Sequence, residues 1–183
     1  MELSDTALVE KILLKDSQAL NILIERYTVP LYNFIYRISN DAALAEDATQ
    51  ETFIKMWQRF TQYNSAQSFR AWLFTIARNT ATDHLRKKKS FTFSQLSSND
   101  QDFESSLPSD HTSVVDILDQ QFDSVFLENH LNNLPINYKS VLILHYQQEL
   151  TFQEISDVLE TPMNTVKSWH HRALSKLKQE LNQ

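Results

Sequence analysis

The side chains of this 183-residue chain that could carry out chemistry begin with its six histidines. A catalytic histidine needs a nucleophile or an acid beside it, and the sequence offers no such pair, which leaves a small hydrolase the least favoured class. A metal site on one helix normally uses histidines four residues apart, whereas adjacent residues diverge by about 100° around the axis. Because His170 and His171 are adjacent, we expect His170 to be packed and His171 to be an exposed donor. The sequence predicts no catalytic residue, no metal site and no cofactor.

The composition excludes further classes of enzyme. The chain has no cysteine, which removes disulfides, thiolate metal ligands and cysteine nucleophiles and fits a reducing cytosol. It also has no glycine, although average usage would give about 13. Glycine-rich phosphate loops, dinucleotide motifs and serine nucleophile elbows are therefore absent. Turns and helix ends should use Asn, Asp, Ser and Pro instead.

Polar and basic side chains gather on the second of two predicted helices near the C-terminus. Thr151 and Glu154 have the spacing of a capping box, which starts the first of these helices. The sequence 160–162 interrupts it, and Thr161 can cap the next helix with Pro162 at its first position. This pattern is typical of a helix-turn-helix that reads the major groove of DNA, although an ordinary helical hairpin would show it too. The outer face of the second helix offers Thr165, Lys167, Ser168, His171 and Arg172.

A second set of basic side chains lies in the N-terminal half. One ridge of a predicted helix, with a spacing of four residues, carries Arg70, Phe74, Arg78, Thr82 and Arg86. Arginines beside aromatic rings suit single-stranded DNA, because the cations follow phosphates while the rings stack on bases. We expect most of these aromatic side chains to be buried. Tyr63, in the loop before the helix, is the ring that we expect to be available for stacking.

The net charge of −6 is unevenly distributed. Residues 67–89 carry six basic groups against one acid, whereas residues 90–138 carry eight acids and no base. Phosphate could therefore dock locally despite the acidic total. Residues 90–113 are rich in serine and acids, a composition that buries little apolar surface and predicts a flexible linker. The chain thus divides into a domain over 1–89, the acidic linker, and a domain over 114–183.

Helical periodicity dominates both domains, so the predicted fold class is all-α, with two small helical domains. We predict a first helix capped by Ser4 or Asp5, and a second that is kinked or interrupted near Pro30 and ends at Asn40–Asp41. A third helix is predicted over 42–60 and a fourth over 69–89. No apolar run approaches twenty residues, and the N-terminus lacks the pattern of a signal peptide. We therefore expect no membrane insertion and a cytoplasmic location.

The third predicted helix has two distinct faces. Four side chains have the spacing of a buried stripe: Phe53, Met56, Trp57 and Phe60. The opposite face could bind a partner or be ordinary solvated surface, and it consists of Asp47, Gln50, Glu51 and Lys55.

Two stretches of the chain resemble parts of the bacterial sigma-70 family of RNA polymerase subunits, in its extracytoplasmic-function (ECF) group. Region 2 of that group is similar to residues 47–53, DATQETF, and 69–79, FRAWLFTIARN. Region 4 is similar to residues 134–168, which include the run TFQEI. Both blocks come in the expected order and separation, so the resemblance covers nearly the whole chain.

The resemblance implies a non-enzymatic subunit that binds core RNA polymerase through the β and β′ subunits, recognises promoter DNA and helps to open it. An anti-sigma factor is a further implied partner. Contacts with core polymerase would come from Asp47, Gln50, Glu51, Phe53, Lys55 and Trp57. Contacts with the minus-ten promoter element would come from Gln62, Tyr63, Asn64, Ser65, Ala66, Arg70, Arg78, Asn79 and Arg86. The minus-thirty-five element would be read by Thr165, Lys167, Ser168, His171 and Arg172.

Four positions depart from the pattern of that group. Glu160 and Asn164 stand where the family usually has glycine, Trp169 stands where an arginine is usual, and His170 replaces an apolar residue. These departures bear on the turn between the two C-terminal helices and on the minus-thirty-five contacts, not on the fold. The alternative function is a stand-alone helix-turn-helix regulator, which would leave the N-terminal face and ridge unexplained.

Overall fold

The computed structural model describes residues 3–92, 131 and 133–181. These residues form helices and turns without a strand, which confirms the all-α prediction. The N-terminal half contains α1 (Asp5–Leu13), α2 (Ser17–Ser39), α3 (Ala42–Arg59), a short 3-10 helix (Phe60–Gln62) and α4 (Phe69–Thr92). The C-terminal half contains α5 (Ile136–Leu142), a π-helical turn (Ile143–Gln147), α6 (Phe152–Leu159) and α7 (Met163–Leu181).

Side-chain caps fix where the first three helices begin. The Ser4 hydroxyl accepts a hydrogen bond from the amide of Ala7, which confirms Ser4 rather than Asp5 as the cap of α1. Asp16 caps α2, and Asp41 caps α3 by accepting from the amide of Leu44. Each cap satisfies an amide that the helix itself leaves unpaired, a contribution of about 1 kcal/mol.

The second helix is continuous across Pro30, so of the two predicted outcomes at this residue the interruption is wrong. Proline removes one helical hydrogen bond, which costs about 3 kcal/mol in an isolated helix. Here the residues on both sides of it are buried, including Leu23, Tyr27, Leu31 and Phe34. This burial offsets the lost bond, and the helix ends ten residues later at Asn40, which is left-handed.

The glycine-free turns use residue types that the sequence did not indicate. Four residues have a positive φ: Lys15 (67°), Asn40 (53°), Glu149 (55°) and Glu160 (51°). Asn was expected in this role, whereas Lys and Glu carry a steric cost there of about 1–2 kcal/mol each. Asn164, the other residue at a usual glycine position, lies inside α7.

The two halves pack against each other through a shared apolar core. In the N-terminal half, the rings of Phe34 and Phe74 meet edge to face with their centroids 5.3 Å apart. Buried side chains of the C-terminal half, such as Ile155 and Val166, belong to the same cluster. The pairs α4–α6 and α2–α5 make the contact between the halves. A second, smaller cluster lies within the C-terminal half and contains Leu131, Leu134, Leu142, Ala173 and Leu177.

The fourth helix continues past its predicted end. It runs to Thr92 rather than to Lys89, because neither proline nor glycine follows to stop it. The first three residues of the proposed linker are therefore helical. The rest of that linker, residues 93–113, and the segment 114–130 lie outside the described residues.

Candidate nucleic-acid and polymerase interfaces

The capping box at the start of α6 forms as the spacing predicts. The Thr151 hydroxyl accepts from the amide of Glu154 at 3.3 Å, and the Glu154 carboxylate accepts from the amide of Thr151 at 2.9 Å. The helix ends at the left-handed Glu160. The predicted cap at Thr161 is wrong, since this hydroxyl donates to the carbonyl oxygen of Leu159 and α7 begins at Met163.

The next helix, α7, places its apolar side chains inward. Val166, Ala173 and Leu177 are buried, as the periodicity predicts. Lys167 is exposed on the opposite side, where four other predicted DNA contacts are partly exposed: Thr165, Ser168, His171 and Arg172. The Ser168 hydroxyl donates to the carbonyl oxygen of Asn164 one turn earlier. One face of α7 thus presents a mixed polar and basic surface.

A cluster of rings joins this helix to the π-helical turn. His170 is partly buried against His145, Tyr146 and Phe152, and its Nε2 lies 3.1 Å from the Tyr146 hydroxyl. Burial, with the neighbouring His145 and His171, lowers the pKa of His170 from 6.5 to about 4. The imidazole is therefore neutral at pH 7, and the expectation of a packed histidine is confirmed.

The outer face of α3 combines exposed apolar and polar side chains. Trp57 is 57% exposed, so the prediction that it is buried is wrong. Ile54 is exposed to the same extent, and the sequence reasoning missed it. Asp47 and Gln50 are also exposed. The spacing 47, 50, 54 and 57 follows one helical face, and that spacing was the signal that could have found Ile54.

Two other residues predicted for this face are engaged with α4. Glu51 accepts from Lys55 at 2.8 Å and lies 2.6 Å from the Nε2 of His84, while Lys55 also donates to the hydroxyl of Thr80. Hydrogen bonds from Lys55 and His84 lower the pKa of Glu51 to about 2. Glu51 and Lys55 therefore tie α3 to α4, and they stand at the edge of the exposed face. Phe53 is partly buried and packs against the core.

The loop before α4 exposes most of its predicted minus-ten residues. Gln62, Asn64, Ser65 and Ala66 are exposed, and the Asn64 side chain accepts from the amide of Ala66. Tyr63 is less available than predicted. The centroid of its ring lies 5.0 Å from the ring centroid of Trp72 and 5.5 Å from that of Phe69. Its hydroxyl donates to the carbonyl oxygen of Gln67.

The residues of the arginine ridge on α4 differ in how deeply they are buried. Phe74 is fully buried, as expected for most of these rings, whereas Arg86 is exposed and pairs with Asp83 at 3.2 Å. Arg70 is partly buried. Its Nη1 donates to the carbonyl oxygen of Gln148 at 2.9 Å, and its Nε lies 3.5 Å from the hydroxyl of Tyr27.

Further along α4, Arg78 donates to the side chain of Asn79 at 3.1 Å. Asn79 in turn donates to the carboxylate of Glu160 at 3.3 Å. Part of the predicted minus-ten surface therefore faces the C-terminal half.

A cleft of about 470 Å³ lies between the loop, α4 and α6. The N-terminal half contributes Gln67, Ser68, Trp72 and Thr75 among other residues, and α6 contributes Glu154 and Asp157. Among the residues that the structure describes, no group of three or more His, Asp or Glu side chains could hold a metal ion. No described helix is long and apolar enough to span a membrane.

Both halves match known sequence families. Residues 23–91 match sigma-70 region 2, and residues 127–177 match sigma-70 region 4. The chain belongs to the sigma-70 family, in its ECF group. It is thus a sigma factor that acts with RNA polymerase in transcription initiation, not a stand-alone regulator.

Individual relatives agree with this assignment over most of the chain. The ECF sigma factor SigM of Bacillus subtilis is 30% identical over 85% of this chain and 91% of its own length. SigW of the same organism is 27% identical over 99% of this chain and 98% of its own length. The sigma factor RpoE from Bartonella quintana, in a co-crystal structure with the anti-sigma factor NepR, has the same fold with a TM-score of 0.68 and 22% identity. The match covers 92% of this chain and 98% of that one.

Proposed function

We propose that the exposed face of α3 is the surface through which this sigma factor binds the β and β′ subunits of core RNA polymerase. The observation that carries the proposal is the exposure of Trp57 and Ile54 beside Asp47 and Gln50. Large apolar side chains at the centre of a polar rim are typical of protein–protein interfaces. Glu51 and Lys55 hold this face in place through α4, and the partly buried Phe53 supports it from below.

The loop at 62–66 and the polar side chains of α4 form the proposed minus-ten surface. The loop exposes Gln62, Asn64, Ser65 and Ala66. The side-chain amides of Gln62 and Asn64 and the hydroxyl of Ser65 can hydrogen-bond a base displaced from the duplex. Tyr63 supports the loop through its packing on Trp72. The cationic and amide side chains that would guide the separated strand are Arg70, Arg78, Asn79 and Arg86.

The outer face of α7 is the proposed reader of the minus-thirty-five element. Lys167 is exposed and Arg172 is partly exposed, and both can bind guanine edges or phosphate in the major groove. Thr165, Ser168 and His171 lie on the same face and can donate hydrogen bonds to DNA. The neutral His170 packs α7 against the rings of His145, Tyr146 and Phe152, and we propose no contact between it and DNA.

The remaining parts of the proposal concern organisation and partners. We divide the chain into region 2 over 1–89, a linker over 90–113 and region 4 over 114–183. The chain acts as a non-enzymatic subunit in the bacterial cytoplasm, where polymerase and promoters are. The structural neighbour from Bartonella quintana is a complex with an anti-sigma factor, and this supports an anti-sigma partner here as well.

The test is whether the purified chain co-migrates with core RNA polymerase of its source bacterium and produces promoter-dependent transcripts. Stable co-migration together with specific transcripts would support the proposal. A competent core that neither binds the chain nor gains promoter selectivity from it would overturn the proposed polymerase surface.

A further inference from the structure

The inner side of α7 combines apolar contacts with a polar one. Val166, Ala173 and Leu177 are buried, and apolar contacts of this kind have no preferred direction. His170 lies between them along the helix, and its Nε2 is 3.1 Å from the hydroxyl of Tyr146. A hydrogen bond depends on direction as well as on distance, so this contact restricts α7 in a way that the apolar contacts do not.

The π-helical turn presents two rings to this histidine. The amide of Gln148 donates to the carbonyl oxygen of Ile143, five residues earlier, at 3.2 Å, whereas an α-helix joins residues four apart. Neighbouring side chains of a regular α-helix diverge by about 100°. Here the rings of His145 and Tyr146 both contact His170, with centroids 5.3 Å and 5.7 Å from it. The irregular turn therefore directs two adjacent side chains at one position of α7.

The contact is itself held in place by neighbouring elements. The carbonyl oxygen of Leu150 can only accept, so His145 donates to it through Nδ1–H at 2.9 Å. The ring of His145 also stacks on that of Phe152, at the start of α6, with centroids 4.7 Å apart. Phe152 in turn meets His170 edge to face at 5.1 Å. Tyr146 and His170 thus meet on a support that the turn and α6 provide together.

The anchored residue is next to side chains that we assign to DNA. The exposed Lys167 precedes His170 by three residues, and the partly exposed His171 follows it directly. A rotation of α7 by about 20° around its axis would move an atom about 6 Å from that axis by about 2 Å. Recognition of a ligand requires its contacts to be held within about 0.5 Å. The rotation of α7 therefore decides whether these side chains reach the base edges.

We propose that Tyr146 is a positioning residue for minus-thirty-five recognition, because its hydrogen bond with His170 fixes the rotation of α7 in the major groove. This inference rests on the proposed function of α7 as the reader of that element. Tyr146 acts through His170, and we propose no contact between Tyr146 and DNA. Loss of the hydroxyl should lower discrimination between promoters by about twofold to tenfold, the range expected for one hydrogen bond.

The test uses the full chain bound to core RNA polymerase. One probe is a duplex promoter that the wild-type complex selects from a library randomised over the minus-thirty-five segment, and the other is the same duplex with that segment scrambled. The readout is the ratio of the two affinities. Partial unfolding lowers both affinities equally, so a purely structural role of the hydroxyl would leave this ratio unchanged.

The variant is Tyr146→Phe, which removes only the hydroxyl. We expect it to lower the affinity ratio by about twofold to tenfold, with unchanged helical circular dichroism and unchanged binding of core polymerase. The matched control is Tyr138→Phe, in the same half of the chain, whose ring packs against the smaller apolar cluster. The control should keep the wild-type ratio. An unchanged ratio in Tyr146→Phe would overturn the inference.

A double-mutant cycle identifies the partner of the hydroxyl. We expect His170→Leu to lower the affinity ratio as well. In the His170→Leu background, Tyr146→Phe should have no further effect, because the hydroxyl then has no imidazole to bind. Equal losses from Tyr146→Phe in the wild-type and His170→Leu backgrounds would show that the hydroxyl does not act through His170, contrary to the inference.

A third variant, Lys167→Ala, distinguishes failure of this inference from failure of the proposed function. If Lys167→Ala lowers the affinity ratio and Tyr146→Phe does not, α7 remains the reader and the positioning role is wrong. If Lys167→Ala keeps the full ratio, α7 is not the reader, and the proposed function and this inference both fail.

Discussion

Glu51 and His84 connect α3 to α4, with the Glu51 carboxylate 2.6 Å from the His84 Nε2. The same carboxylate accepts from Lys55 one turn later on α3, and Lys55 also donates to the hydroxyl of Thr80 on α4, so both side chains link the two helices. This contact fixes the orientation of the proposed polymerase face relative to the proposed DNA surface.

Substitution of this acid should weaken folding in a pH-dependent way. The pKa of Glu51 lies at about 2 in the folded protein, below its ordinary value of 4.5, so its contribution is present above pH 4.5 and is lost as the pH falls towards 2. Because the side chain is partly exposed, we expect Glu51→Gln to lower the free energy of unfolding by only about 0.5–1 kcal/mol at pH 7. Urea unfolding at pH 7 and pH 3 measures this, with exposed Glu46→Gln as the control. An equal effect at both pH values would contradict the assignment.

The packed histidine of α7 should also make stability fall on acidification, but in a less acidic pH range than Glu51. His170 has a pKa of about 4 when folded and 6.5 ordinarily, so the unfolded chain binds the proton first and stability falls as the pH drops from 6.5 towards 4. After allowance for partial exposure, the loss is about 1–2 kcal/mol. We expect His170→Leu to flatten unfolding profiles between pH 7.5 and 5. His171→Gln removes only the smallest of the three causes of the lowered pKa, so it should keep most of the wild-type slope, and an unchanged slope in His170→Leu would contradict the assignment.

Replacing a strained left-handed residue by glycine should raise the free energy of unfolding. Lys15 has a φ of 67°, and Lys15→Gly removes a steric cost of about 1 kcal/mol. Asn40 has a similar φ of 53°, but asparagine tolerates this region, so Asn40→Gly should change stability much less. Denaturant unfolding of the two variants separates these effects. Equal stabilisation would show that the residue type at these turns is unimportant.

The exposed pair on α3 should matter for binding rather than for folding. We expect Ile54→Ala with Trp57→Ala to weaken core polymerase binding by at least about tenfold. Because both side chains are 57% exposed, the midpoint of urea unfolding should change little. Val29→Ala, at a 62% exposed apolar position on α2, is the matched control for lost surface. Undiminished affinity in the double variant would remove this face from the interface.

The exposed lysine of α7 should affect promoter choice alone. We expect Lys167→Ala to cost about 1–3 kcal/mol of minus-thirty-five recognition and to leave core binding unchanged. Competition between promoters with and without that element, in reconstituted transcription, measures the loss. Loss of core binding would show that α7 contributes to the polymerase interface.

Local signals in the sequence predicted the helices well. The Ser4 cap, the Asn40 end and the Thr151–Glu154 box depend on residues only a few positions apart, and the structure contains each of them. The errors arose where tertiary packing decided the outcome. Burial on both sides of Pro30 kept α2 intact, and the neighbouring rings of Phe69 and Trp72 withdrew Tyr63 from solvent.

The exposure of Trp57 and the approach of region 4 to region 2 could not be predicted for a similar reason. A periodic pattern shows which side chains share a face, but it does not show whether another element covers that face. The hydrogen bond between Asn79 and Glu160 joins residues 81 positions apart, so no local pattern indicates it.

Glu160 serves two requirements that oppose each other. Its backbone has a φ of 51°, a conformation for which glycine is best, while its carboxylate receives the amide of Asn79. Replacement by glycine would relax the helix end and at the same time remove the side chain that reaches α4. A substitution that relieves the backbone strain at this turn would therefore remove a hydrogen bond between the two halves. Residue 160 thus cannot be optimal for both the local backbone and the contact with α4.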